Sequence, residues 1–168
     1  MTAQFTEKII LNGQKRSLCT DPLESFFEMS GMQRPEFRKT CTALWRGYVG
    51  TWEMLADRLY LIDLNGTLRG GKVAKMTLMF PDFPDRVFAH WYSGVLRIPM
   101  GKLLRYVHGG YGSVYERDQF ITVKKGIAVS TSLVVNGKVP GSDATEDAYA
   151  VHAIYTSSND NDGERGGE

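Results

Sequence analysis

Strand-length runs at short intervals dominate the chain after Ala43, and they constrain its fold more than any other feature. VFAHWYSGVLRI, KLLRYVH, SVYERDQFITV and GIAVSTSLVVN follow one another across Ser93-Gly94, Pro99-Met100-Gly101, Gly109-Gly110 and Lys125-Gly126. Val, Ile, Tyr, Phe and Trp suit a pleated, half-buried surface, and Gly-containing dipeptides punctuate it with turns. Upstream, ALWRGYVGTWEM has no purely polar face, as in a strand buried on both sides. Gly47 and Gly50 within it predict a bulge or a close backbone approach. Ala56-Asp57 then turns the chain into RLYLIDL, and Asn65-Gly66 offers a further tight turn.

The remaining elements are short. TEKIILNGQKRSL reads as a hairpin about Asn12-Gly13. Asp21 followed by Pro22 and Glu24 marks a helix start, with an end near Gly31. KVAKMTLMF, residues 72–80, is read as a short helix. Asp143 and Glu146 open a last one over DATEDAYAVHAIY. The fold class expected is therefore α+β and mostly β: a single curved antiparallel sheet, a sandwich or an open barrel, with two or three short helices. Residues 1–156 form one globular domain on this reading, and the apolar-free 157–168 stretch is expected to stay disordered. Trp45, Trp52 and Trp91 are expected in the core.

Charge divides the chain unevenly. Residues 1–142 hold 19 Lys/Arg against 12 Asp/Glu, a net +7, whereas residues 143–168 hold one Arg against seven acidic residues, a net −6. No apolar run has bilayer-spanning length, and Glu7 interrupts the N-terminal stretch where a signal peptide needs continuous apolarity. A cytoplasmic protein that does not engage membranes is expected, with Cys19 and Cys41 as reduced thiols.

Motifs of catalysis are weak. Cys19 and Cys41 lack zinc-site spacing and His90, His108 and His152 are scattered, so neither a metal nor a cofactor is expected. There is no G-x-S-x-G elbow, and His108-Gly109-Gly110 reads as a turn. Glu53 with Asp63, and Glu116 with Asp118, are the carboxylate pairs that strand geometry could bring together.

The segment from Arg86 to Tyr115 is the most unusual, since it contains no Asp or Glu. Arg86, His90, Arg97, Arg105 and His108 alternate there with Trp91, Tyr92, Tyr106 and Tyr111. Guanidinium groups grip carboxylate or phosphate in a fork, and aromatic faces stack on planar ligands. The Gly109–Ser113 loop could add backbone N–H groups. Together with Arg46, these residues are the candidate site.

The runs WRGYVGTWE…RLYLIDL and FAHWYSGVLRIPMGKLLRYVHGGYGSVYERD, roughly residues 43–118 and about half the chain, resemble a family of uncharacterised bacterial proteins. The resemblance implies a β-rich core and a bacterial or mobile-element setting, and brings no catalytic residue with it.

The functional expectation is a non-catalytic, immunity-like binding protein. Its basic–aromatic surface would engage an anionic partner: an acidic protein, as in toxin neutralisation or phage–host conflict, or a nucleotide-like ligand. Sequence-specific nucleic-acid binding is not expected. The alternative is a small hydrolase or transferase acting on a phosphorylated or nucleotide substrate, with Arg46, Arg97 or Arg105 as clamps and Glu53 or Glu116 as acid/base.

Overall fold

The computed structural model describes residues 2–138. The last expected helix and the acidic 157–168 stretch lie outside the described residues. Among the described residues, nine strands form one large mixed sheet that does not close into a barrel, accompanied by one α-helix and a single 3-10 turn.

The N-terminal hairpin forms as its sequence dictates. β1 (Glu7–Leu11) and β2 (Gln14–Leu18) pair in antiparallel register across Asn12 and Gly13, both at positive φ, which a two-residue turn requires. α1 (Pro22–Ser30) begins at the proline, as expected. Asp21, however, makes no capping bond, because its carboxylate is drawn to Tyr111 instead.

β3 (Tyr48–Leu55) returns beside β1 in parallel, a pairing that needs a long crossover, here the connection carrying α1. The expectation of an antiparallel sheet fails at this pair, the one parallel pair among the named strands. β3 begins at Tyr48 rather than Ala43, leaving Leu44–Gly47 in a turn. A bulge between Thr51 and Trp52 marks its ladder with β4 (Arg58–Thr67). Asn65-Gly66 is not a turn but the end of β4, because Gly66 pairs on both edges, with Tyr48 and with Ala74 of β5 (Val73–Ala74).

The helix expected over 72–80 resolves into β5 and the 3-10 turn Met76–Leu78. After β6 (Val87–Phe88), β7 (Gly94–Arg105) runs through Pro99 and Gly101, with register shifts in place of the expected break. β8 (Val114–Lys124) and β9 (Ile127–Val135) complete the order β2-β1-β3-β4-β9-β8-β7, with β5 and β6 both on β4.

β4 and β9 share a short ladder at Arg58 and Ile127, and the sheet curls on itself. Its end strands consequently approach each other. Just beyond β2, the Cys19 N–H donates to the Arg97 carbonyl of β7 at 2.8 Å, and the Arg97 N–H donates to Thr20 Oγ1 at 3.0 Å. Inside the curl, Trp52, Leu59, Leu61, Leu96 and Ile98 are fully buried. α1 plugs the curl with Phe26, whose ring lies 4.9 Å from both Phe80 and Trp91. Among the described residues no helix is long and apolar enough to cross a membrane.

Candidate functional site

The interior holds charge as well as apolar side chains. Glu7, at the start of β1, is 0% exposed. Its Oε1 accepts from Arg46 Nε at 2.8 Å, and its Oε2 accepts from the Trp52 indole at 2.8 Å and from the Gly50 N–H at 3.0 Å. Gly50 is required by this approach, since a Cβ there would fall on Glu7 Oε2. The close backbone contact expected of that glycine is thus with a carboxylate.

Arg46, 8% exposed, spends its other nitrogens on the Phe5 carbonyl at 2.8 Å and on Tyr111 Oη at 3.0 Å. Tyr111 in turn donates to Asp21 at 2.6 Å. Burial pushes the Glu7 carboxyl up to about 7, with Arg46 and the two N–H donors pulling against it. Burial, with the bond to Asp21, keeps the Tyr111 phenol protonated.

A second charged node lies nearby. Arg97 of β7 meets Asp118 of β8 at 2.9 Å and donates to the carbonyls of Tyr111 and Ser113 at 2.5 and 2.9 Å. Asn136 donates to the other oxygen of Asp118 at 2.8 Å. The Gly109–Ser113 loop therefore presents carbonyls inward to Arg97, contrary to the expectation that it turns N–H groups toward an anion. Tyr111 ties the nodes together, its phenol in one and its carbonyl in the other.

The candidate residues drawn from sequence accordingly divide. Arg46, Arg97 and Tyr111 come together in these internal networks. Trp91 and Tyr92 are buried, with the Trp91 indole donating to the Pro22 carbonyl at 3.0 Å. Tyr106 and His108 are exposed and meet edge to face, as does His90 with Trp91, while Arg105 is exposed. Arg86 stands apart over Tyr60 and pairs with Glu53 at 3.6 Å. Glu116, the other acid/base candidate, accepts from the Lys102 N–H.

The open cationic surface lies elsewhere, in a groove of about 830 Å³ between the segment after α1 and the turn before β3. Arg34, Arg38, Lys39, Arg46 and Arg69 line it. Its carboxylates are Asp21, Glu24 and Glu36, and the first two are already engaged. Asp21 is held by Tyr111, and Glu24 accepts from Tyr48 at 2.7 Å and pairs with Arg34. Arg34 lies over the rings of Phe27, Phe37 and Tyr48, which fixes its guanidinium in the wall.

Trp45, expected in the core, is 64% exposed at this groove, with Lys39 Nζ 4.1 Å from its ring centroid. The reason is local: residues 44–47 form a turn, so strand alternation does not apply to them. Of the candidate residues, only Arg46 lines the groove. Arg34, Arg38, Lys39 and Arg69 were missed, although RPEFRK places three cations within six residues.

No family model, curated protein or solved structure matches this chain.

Proposed function

We propose that this chain is a non-catalytic binding protein that engages an anionic partner through the groove between Arg34 and Arg69. One observation carries the reading: five cationic side chains line the groove, and the buried or wall carboxylates Glu7 and Glu24 take up only two of them, Arg46 and Arg34. Arg38 and Lys39 form no ion pair among the described residues, and Arg69 has only an exposed contact with Glu36 at 3.6 Å. Cations held at an open surface with an exposed indole beside them suit contact with carboxylate or phosphate.

The alternative of a hydrolase or transferase has less support. Glu53 faces Arg86 and Glu116 faces a backbone N–H, so neither stands beside the groove's arginines. We place the protein in a reducing, cytoplasmic setting, as Cys19 and Cys41 are both free thiols.

The test is fluorescence anisotropy with labelled poly-aspartate and a labelled oligo(dT) of equal charge. At least one should bind at low ionic strength and dissociate as salt rises. The Arg38→Ala/Lys39→Ala double variant should weaken that binding by about tenfold or more, with an unchanged melting temperature. Binding of neither probe, or equal binding by the double variant, removes the groove from consideration.

A further inference from the structure

We infer that the groove's partner is an acidic polypeptide segment carrying apolar side chains, rather than a nucleic acid; this rests on the anion-binding reading above. A second, more apolar depression of about 350 Å³ adjoins the cationic groove and shares Pro35, Glu36 and Arg69 with it. Leu68, Leu78 and Met79 line it, and Leu78 is 50% exposed. The surface thus changes from arginine and tryptophan to aliphatic side chains across a single wall.

Three features select among anionic partners. Trp, Arg and Met are the residues enriched where proteins meet proteins, and this surface combines Trp45, Arg38, Arg69 and Met32, the last 42% exposed. A nucleic-acid backbone offers Leu78 only small sugar methylenes beside oxygens, whereas a Leu or Phe side chain loses far more apolar surface from water by settling there. Glu36 stands on the shared wall, beside Arg69. It repels an evenly charged polyanion but tolerates a chain whose carboxylates are spaced by apolar residues. Both depressions open to solvent, which suits a polypeptide laid across them better than a single nucleotide, since small ligands need most of their surface enclosed.

The experiment uses the full chain and three fluorescein-labelled probes of equal net charge: a peptide of Asp and Gly, a peptide of Asp and Leu, and oligo(dT). The Asp/Leu peptide should bind about tenfold tighter than either other probe, the gain expected from one well-buried aliphatic side chain. Leu78→Ala should cut that advantage to about twofold, with a melting curve recorded to show that the variant is folded. Arg38→Ala/Arg69→Ala should weaken all three probes. Equal affinity for the two peptides overturns the inference while leaving the anion-binding reading in place, and tightest binding of oligo(dT) overturns it in favour of nucleic acid. Failure of all three to bind at low ionic strength overturns both.

Discussion

Glu7 and Arg46, 39 positions apart in the chain, meet at 2.8 Å in the interior, and their pairing joins β1 to the turn that launches β3. The pair is well satisfied: Glu7 accepts three hydrogen bonds and Arg46 donates three. A buried ion pair of this kind need not exceed an apolar substitute in stability, but it makes removal of either partner alone costly. It also sets the edge of the groove, because Arg46 lines it from below while Trp45, the preceding residue, stands out beside it.

Arg46→Ala should therefore destabilise the fold by about 3–5 kcal/mol, the range for stranding one charge of a buried pair. Urea denaturation at about pH 8.5, above the Glu7 value of about 7 so that the carboxylate is charged, measures it directly. A denaturation midpoint equal to that of the unsubstituted chain would mean that Glu7 is not ionised, or not buried, in solution.

Acidity changes the same pair with a definite sign. The Glu7 carboxyl is held up to about 7 in the fold, against an ordinary value of 4.5 in the unfolded chain. Between those values the folded state binds the extra proton. Stability from Glu7 is thus full below about pH 4.5 and declines as pH rises through 7. Denaturation at about pH 5, 6 and 7 should show the decline, and Glu7→Gln should flatten it. The Arg46→Ala penalty should also shrink toward pH 5, where Glu7 carries no charge to strand. A Glu7→Gln protein with the original pH slope would assign the slope to other groups.

Arg97 invites a different forecast from the one its sequence context suggests. It lies in a stretch free of acidic residues, as a ligand clamp would, yet it is taken up by Asp118 and two loop carbonyls. Arg97→Ala should cost about 2–3 kcal/mol, since a buried carboxylate loses its charged hydrogen bonds. It should leave affinity for poly-aspartate nearly unchanged once the protein is folded. A loss of affinity with no change in melting would restore Arg97 to a binding role.

The contrast between Arg97 and Trp45 shows what was legible in the sequence. Period-two patterns and turn dipeptides located the hairpin, β8, β9 and the helix start, because those signals are local. Long-range pairing was not legible: nothing in GYVGTWEM says that β3 lies parallel to β1, or that Gly66 is paired on both edges. That the Arg86–Tyr115 segment does not form one open surface was hidden for the same reason. An acid-free stretch looks like an open cationic surface only until Asp118 and the carbonyls of Tyr111 and Ser113 fold back onto Arg97. Conversely, Arg38, Lys39 and Arg69 become one surface through the pairing of Phe37 with Leu68, a bridge no spacing rule reveals.

The chain's own acidic residues supply the last forecast. Ending the chain at Ser157 removes Asp160, Asp162, Glu164, Glu168 and Arg165, which changes the net charge from +1 to +4. Charges that interact through solvent act weakly and are screened over about 8 Å at physiological ionic strength. The shortened chain should accordingly bind poly-aspartate more tightly at low salt, with the two titrations converging as salt increases. Its melting temperature should not change, because residues 158–168 include no apolar side chain to bury. Equal affinities for the two chains at every salt concentration would show that these carboxylates do not compete for the groove. A difference that persists at high salt would instead point to contacts other than screened charge between residues 158–168 and the binding surface.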